Sequence, residues 1–277
     1  MRTSASTRLA AGARLDPLAE SIRRAESHQV RVSLRLGVPT DSTGWVNCAQ
    51  LLSEPGGFDR WRKELAGWLI DRYGEAPDRT TAGYVMSWYL SVPGYLAALL
   101  FHHERRVPSL RPEHLEFRMA RPRPHPDSIA LLDSRFACLP DDPAAGTPNA
   151  FVVADERALA TVLRGRFVAH ASRFVAAFGP TVRFGRHTLW AAATDALDNA
   201  VWLAGRYGGD EAAGVLDAAL LLPEREAPLT SCSTLRAVPG ERGATAWTRR
   251  RESCCFHYLI ESGQGVCDTC PRVQSKA

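Results

Sequence analysis

Lysine is almost absent from this sequence. Of the 277 residues only Lys63 and Lys276 are lysine, so arginine supplies nearly all of the positive charge. The formal net charge of +4 at pH 7 is modest, and the basic stretches are short and interrupted by acidic residues or proline. Because a nucleic-acid-binding protein needs a concentrated basic face, the composition predicts a protein that does not bind nucleic acid.

The common fingerprints of nucleotide and acyl chemistry are also missing. The sequence contains no nucleophile elbow, no phosphate-binding loop and no glycine-rich dinucleotide fingerprint. Arginine and glutamate interrupt residues 1–26 and leave no continuous apolar run, so we see no secretory signal and expect a cytoplasmic protein. In a reducing compartment, clustered thiols bind metals more often than they form disulfides.

One uncharged stretch, residues 80–101, is about long enough to span a bilayer. It contains Pro93 together with several serines and threonines. Because proline removes a helix hydrogen bond and its ring clashes with the preceding turn, the pattern predicts two buried helices that are separated at Val92–Pro93. The alternative is peripheral contact with the inner face of the cell membrane.

The remaining pattern predicts an α+β fold that is mainly helical. Period-two alternation predicts a strand at Val30–Leu36, and short apolar runs predict strands near 115–119, 129–132 and 136–139. Apolar residues recur at helical spacing in five further segments, which are 16–28, 57–74, 155–179, 185–209 and 210–222.

These elements divide the chain into three predicted parts. A mixed α/β region occupies residues 1–148, and a helical region follows at 149–243. The end of the helical region, 223–243, is rich in proline and predicts a linker. Residues 244–277 form a separate C-terminal segment.

The C-terminal segment gathers thiols. Four of the seven cysteines lie there, namely Cys254, Cys255, Cys267 and Cys270. Four thiolates can hold iron or zinc in tetrahedral coordination, and Gly263 and Gly265 allow the chain between the two pairs to turn back. Zinc knuckles usually separate their paired cysteines by two or more residues. The adjacent pair therefore argues mildly against a structural zinc site and leaves both metals open.

The stretch RRRESCCFHYLIESGQGVCDTCP, residues 249–271, resembles the C-terminal signature of the FhuF-like family of siderophore ferric reductases. That signature is an adjacent cysteine pair, about ten residues and a Cys-x-x-Cys, with basic residues upstream; here eleven residues separate the pairs. The resemblance implies that Cys254, Cys255, Cys267 and Cys270 ligate a [2Fe–2S] cluster. It also implies an enzyme, a cytoplasmic ferric-siderophore reductase that passes one electron to siderophore-bound Fe(III), with hydroxamate siderophores favoured.

Two consequences follow from this resemblance. Because the sequence offers no flavin or nicotinamide site, the electrons must come from an external donor such as a ferredoxin or a flavin reductase. Four arginines flank the cysteines, namely Arg249, Arg250, Arg251 and Arg272. Positive neighbours stabilise the reduced form of a cluster and raise its potential, and we expect at least one arginine to do so.

Three further polar residues have predicted roles outside the ligand set. His257 follows the adjacent pair, but four cysteines already complete the ligands, so we expect it to lie beside them or at the surface. Asp195 and Asn199 are four residues apart and share a face of a predicted helix. They either bond to other helices or face a substrate groove.

Two alternatives to a reductase stay open. The first is a zinc-stapled, non-enzymatic binding protein of a siderophore pathway. The second is an iron–sulfur electron carrier or regulator that never contacts a siderophore.

Overall fold

The computed structural model describes residues 16–240, 245–262 and 265–272. It is 51% helical and 15% strand, which confirms the predicted mixed, mainly helical α+β class. The α-helices are α1 Pro17–Ser27, α2 Cys48–Ser53, α3 Gly57–Tyr73, α4 Asp78–Glu104, α5 Glu156–Phe178, α6 Arg186–Gly208 and α7 Glu211–Leu221. The strands are β1 Ser33–Leu36, β2 Trp45–Asn47, β3 Arg106–Pro108, β4 Leu115–Met119, β5 Pro126–Leu131, β6 Phe136–Cys138, β7 Ala150–Val152, β8 Leu235–Pro239 and β9 Thr245–Arg249.

Local signals set the ends of several helices. The side chain of Asp16 accepts a hydrogen bond from the Leu18 backbone N–H at 2.8 Å and caps α1. Helix α3 ends at Gly74, which has a φ of 82°, a left-handed conformation that glycine adopts without steric cost. The helices predicted at 16–28 and 57–74 are therefore confirmed.

The strands form two small sheets and one hairpin. The first sheet has the order β1-β5-β4-β2, in which β1 and β5 are parallel and the other pairs are antiparallel. The second sheet has the order β3-β6-β7, and the hairpin consists of β8 and β9. The first sheet places the loop before β1 and the loop before β5 near each other, because those two strands run side by side in the same direction.

The predicted separation at Val92–Pro93 is wrong. Helix α4 continues from Asp78 to Glu104 with Pro93 inside it. A proline in a helix interior costs about 3 kcal/mol, but Val92, Pro93 and Gly94 are buried between other elements, so tertiary packing holds the helix together. By length and composition α4 also resembles a membrane span, yet 78% of its most apolar window is buried inside the protein. Burial in the core therefore accounts for its hydrophobicity.

Helices α4 and α6 pack against each other at their middles. A Cβ atom on Gly94 of α4 would lie 3.6 Å from the carbonyl oxygen of Ala196 on α6 and 3.3 Å from the ring of Phe167. A side chain at Gly94 would therefore be in ordinary contact with α6 and would crowd Phe167 of α5. The same two helices, α4 and α6, also contact the C-terminal cysteine region, through Thr80 and Asp195.

The predicted linker at 223–243 is only partly correct. Its second half contains β8, which pairs along its length with β9 and so crosses the predicted boundary between 243 and 244. Strand β8 is stabilised by pairing with another strand, which a local pattern does not reveal. The proline content of the stretch instead predicts a linker. The three-part division of the chain stays a prediction, and one hydrophobic core draws residues from Leu18 to Ile260.

Candidate metal centre

The cysteine segment, defined as residues 250–272, begins where β9 ends and is held on one side by α6. The carboxylate of Asp195 accepts hydrogen bonds from the backbone N–H of Glu252 at 2.9 Å and of Ser253 at 2.7 Å. It also accepts the hydroxyl of Ser253 at 2.5 Å. Arg249 lies nearby, with its guanidinium 3.8 Å from the carboxylate and donating to the Asp195 carbonyl at 2.9 Å.

This anchor is buried. Asp195 is 6% exposed and Arg249 is 7% exposed. Burial raises the pKa of the Asp195 carboxyl, and the charge of Arg249 with the hydrogen bonds from Ser253 and Glu252 offsets part of that rise. The sequence left open whether Asp195 bonds to other elements or faces a groove. In the structure it fixes the two residues that directly precede the adjacent cysteines.

Helix α4 holds the other side of the cysteine segment. The hydroxyl of Thr80 donates to the carbonyl of Phe256 at 2.8 Å, and both groups are buried. A Cβ atom on Gly83 would lie 2.9 Å from the carbonyl oxygen of Cys255, closer than real Cβ contacts come. The backbone of the adjacent pair therefore lies directly on α4 at a position that only glycine permits. Phe256 has a φ of 58°, so the chain bends sharply after the pair.

The two halves of the cysteine segment meet at Arg251. Its backbone N–H donates to the carbonyl of Thr269 at 3.1 Å. Its guanidinium Nη2 lies 2.9 Å from the Sγ of Cys267 and 3.6 Å from the Sγ of Cys255. One side chain thus contacts a thiol from each pair. Arg251 is the flanking arginine whose described contacts include the thiols, which gives a structural basis to the expected electrostatic effect.

The thiols of the two pairs differ in exposure. Cys270 is buried, Cys267 is exposed, and Cys254 and Cys255 are half-buried. Among the described residues, no three side chains of cysteine, histidine, aspartate or glutamate are close enough to hold a single metal ion. A [2Fe–2S] unit has two iron atoms with two protein ligands each, so it does not require such a group. The donor chemistry of four thiols, two of which contact one guanidinium, fits this cofactor.

The pKa values of the adjacent thiols move in opposite directions. The hydrogen bond from Cys254 lowers the pKa of Cys255, and the His257 backbone N–H and Arg251 add to that effect. The hydrogen bond that Cys254 donates to Cys255 raises the pKa of Cys254, and burial raises it further. Burial alone would lower the pKa of Arg251, but its contact with Cys255 and the nearby thiolate charges raise it. This part of the chain therefore favours a thiolate at Cys255.

The other flanking residues lie beside the site without contacting its thiols in the described contacts. Arg250 donates to the Pro271 carbonyl at 3.4 Å, and the guanidinium of Arg272 stacks 4.4 Å from the ring centre of Tyr258. His257 shares a 2.7 Å hydrogen bond between its Nδ1 and the hydroxyl of Tyr84. The turn predicted at Gly263 lies outside the described residues.

A cavity of about 440 Å³ lies beside the cysteine segment, within the size range of ligand sites. Asp195, Asn199, Arg251 and Ser253 all line it. The groove that was one of the two alternatives for Asp195 and Asn199 is therefore present. Nothing in the sequence marked its other walls, because they come from α4, from β5 and from loops that are distant in the chain.

A second and larger cavity, about 670 Å³, lies elsewhere in the protein. Its walls come from residues between Ser109 and Arg173 and include none of the cysteines. Size alone would favour this cavity. Chemistry favours the smaller one, because Arg251 contacts the thiols and also lines that cavity.

One comparison with known proteins finds a match, and it covers the cysteine segment. Residues 251–272 match the family model described as "FhuF 2Fe-2S C-terminal domain". The match indicates a [2Fe–2S] cluster and an iron–sulfur protein related to siderophores. The resemblance in the cysteine motif is thereby confirmed, and the chain is consistent with an FhuF-like family. No curated protein matches the chain.

The close contact at Gly83 predicts an unusual response to alanine. Alanine normally stabilises a helix interior by about 1 kcal/mol over glycine, and Gly67→Ala on α3 should show this gain because nothing lies within 4 Å of its Cβ position. Gly83→Ala should instead lower the free energy of unfolding by about 1 kcal/mol, since overpacking costs roughly 1–3 kcal/mol. Urea unfolding measures both values. Hydrogen exchange of the Cys255 and Phe256 amides should quicken only in Gly83→Ala, and an equal gain in the two variants would contradict the contact.

The anchor at Asp195 predicts a large loss of stability on truncation. Asp195→Ala leaves Arg249 buried without its counter-charge, which costs roughly 3–5 kcal/mol. Asn199 lies one turn further on the same helix, so Asn199→Ala is the matched control. Its free energy of unfolding should change by less than about 1 kcal/mol. Chemical unfolding followed by circular dichroism measures both. A small effect of Asp195→Ala would show that the cysteine segment does not depend on this carboxylate.

Proposed function

We propose that this protein is a cytoplasmic ferric-siderophore reductase whose [2Fe–2S] cluster is held by Cys254, Cys255, Cys267 and Cys270. The observation that carries the proposal is the position of Arg251. Its guanidinium contacts the thiols of Cys255 and Cys267 and also forms part of the wall of the 440 Å³ cavity. A chelate in the cavity would therefore be separated from the thiols by little more than one side chain.

The chemistry needs few groups beyond the bound cofactor. When bound, the cluster supplies one electron at a time. Fe(III) is a hard, highly charged cation that oxygen ligands hold tightly, whereas Fe(II) has a lower charge density and dissociates more readily. Accordingly we expect no catalytic residues beyond the cluster ligands.

The protein itself positions the cluster ligands and the chelate. Asp195 and Ser253 line the cavity and fix the chain directly before the adjacent cysteines, through hydrogen bonds of 2.5–2.9 Å to the carboxylate. Arg251 places a positive charge beside the thiols, where it favours the form with more negative charge. The cavity binds the ferric chelate and orients it toward this wall.

We further propose that the electrons come from a separate donor, such as a ferredoxin or a flavin reductase. The sequence contains no dinucleotide or phosphate-binding fingerprint, and the exposed side chain of Cys267 gives a donor access to one edge of the site. Peripheral contact with the inner face of the cell membrane is part of the same proposal.

The first test is cofactor content with matched cysteine variants. Anaerobically purified protein should show the visible spectrum of a [2Fe–2S] protein and an EPR signal after dithionite. Cys267→Ser should lose the normal spectrum, whereas Cys232→Ser, an exposed cysteine outside the cysteine segment, should keep it. A ferric hydroxamate with an Fe(II) trap should then reoxidise the reduced protein.

Three results would count against the proposal. A colourless protein with one zinc per chain and no sulfide would support the zinc-stapled alternative instead. An unchanged spectrum in Cys267→Ser would mean that the ligand set is wrong. Failure of every ferric siderophore to reoxidise the cluster would leave an electron carrier or regulator.

The contact of Arg251 with two thiols predicts a change in potential. Arg251→Gln removes a positive charge about 3 Å from sulfur, and a unit charge at such a distance contributes more than ~1.4 kcal/mol at an effective dielectric constant near 20. Since ~59 mV corresponds to that energy for one electron, we expect the potential to fall by about 60 mV or more. A spectroscopic redox titration measures it.

Arg250→Gln is the matched control for Arg251→Gln. Arg250 is the preceding residue, is exposed, and its described hydrogen bond goes to a carbonyl. Its charge is screened by solvent, so the potential should change by less than about 20 mV. Equal shifts in the two variants would show that the thiol contact has no special effect.

A further inference from the structure

The walls of the cavity beside the cysteine segment carry an excess of positive charge. Four of the lining residues are arginines, namely Arg31, Arg123, Arg249 and Arg251. Asp195 is the one carboxylate among the described lining residues. Because a cavity lined by one sign of charge attracts ligands of the opposite sign, the distribution of partners among these arginines decides what the cavity binds.

Two of the four arginines have their charge compensated inside the protein. Arg249 lies against the buried carboxylate of Asp195. Arg251 lies against the thiols of Cys255 and Cys267. The uncompensated charge of the cavity therefore comes from Arg31 and Arg123.

The remaining two arginines lie over aromatic rings. The guanidinium of Arg123 lies 5.3 Å from the ring centre of Trp68 and 5.0 Å from that of Trp88. Arg31 lies 6.0 Å from the ring centre of Tyr95. Among the described residues, the contacts of these two guanidinium groups are with rings and not with carboxylates or carbonyls. Their N–H groups are therefore available to donate to a ligand, and the planar fork of a guanidinium matches the geometry of a carboxylate.

The larger cavity shows the opposite arrangement. Four arginines line it as well, namely Arg111, Arg135, Arg166 and Arg173. Arg111 and Arg173 each lie 2.8 Å from the carboxylate of Glu113, and Arg135 lies 2.8 Å from Asp133. Arg166 donates to the Val107 carbonyl at 2.8 Å. Arginine richness alone is thus common in this protein, and unpaired arginines in a cavity wall are the feature that distinguishes the smaller cavity.

From this contrast we infer that the smaller cavity selects net-anionic ferric chelates, in which free carboxylates on the chelator meet Arg31 and Arg123. The inference rests on the proposed function and narrows its substrate class. Hydroxamate oxygens can still bind the iron. Selection acts on the net charge of the complex, so a citrate-based dihydroxamate should bind better than a neutral or cationic trihydroxamate.

Gallium complexes separate binding from electron transfer, because Ga(III) resembles Fe(III) in size and charge but accepts no electron from the cluster. The oxidised, cluster-loaded protein is titrated by calorimetry with three Ga(III) hydroxamates. These are an anionic citrate-based dihydroxamate that carries carboxylates beyond the one that ligates the metal, a neutral cyclic trihydroxamate and a cationic linear trihydroxamate with a free ammonium group. We expect the anionic complex to bind about tenfold more tightly than the neutral one at low salt, and this ratio to shrink at high salt.

Charge-removing variants test the two arginines directly. Arg31→Gln and Arg123→Gln should each reduce the preference for the anionic complex, and the double variant should bind the anionic and neutral complexes within about threefold of each other. Arg157→Gln removes an exposed charge that does not line the cavity, and it should leave all three affinities unchanged.

The outcomes are distinct for the two proposals. Equal binding of the neutral and anionic complexes, or a preference that survives in the double variant, would overturn the charge selection. Absence of binding by all three gallium complexes would overturn the cavity as the chelate site. The reductase proposal fails separately, if no ferric chelate of any charge reoxidises the reduced protein.

Discussion

The arrangement of the site depends on the carboxylate of Asp195. It accepts the N–H groups of two consecutive residues, Glu252 and Ser253, and the hydroxyl of the second. Buried backbone N–H groups need acceptors, and a buried carboxylate needs donors and positive charge. The Asp195 carboxylate of α6 and the N–H groups directly after β9 therefore satisfy each other's hydrogen-bonding needs. The adjacent cysteines follow immediately, so their position relative to the cavity is fixed by this contact.

Helix α4 contacts the cysteine segment on the side opposite Asp195 and also lines the cavity. Both contacts keep a fixed relation only if the helix is continuous. Thr80 and Gly83 near its start contact the backbone of the cysteine segment. Trp88 and Tyr95, on either side of Pro93, line the cavity. A break at Pro93 would let these two groups move independently, and the cavity would lose its fixed relation to the cysteines. Tight packing of Gly94 against Phe167, and the burial of Val92 and Pro93, offer a physical reason why the cost of an internal proline is tolerated.

Local features could be predicted from the sequence, and features made by contacts between distant residues could not. The cap at Asp16 and the glycine after α3 are local signals, and the helices that they bound were predicted correctly. The cysteine spacing is also local, and the resemblance that it indicates is confirmed by the family match at residues 251–272. The strand β8 was missed because its stability comes from pairing with β9. A groove at Asp195 was one of two alternatives, but the rest of the cavity wall was missed because residues near 31, 123, 195 and 251 meet only in the folded chain. Gly83 stood in an uncharged stretch, where nothing in the sequence marked its contact with Cys255.

Arg251 couples the two sides of the proposed site electrostatically. Its charge stabilises extra negative charge at the thiols on one side, and it faces the cavity on the other. A net-anionic chelate in the cavity would offset part of that positive charge and thereby lower the potential of the adjacent centre. Since coupling between two sites is reciprocal, the reduced protein would bind such a chelate less tightly than the oxidised protein. Binding of an anionic substrate would then make loss of the electron more favourable than it is in the empty protein, so the negative charge by which Arg31 and Arg123 select the chelate would also favour electron transfer to it.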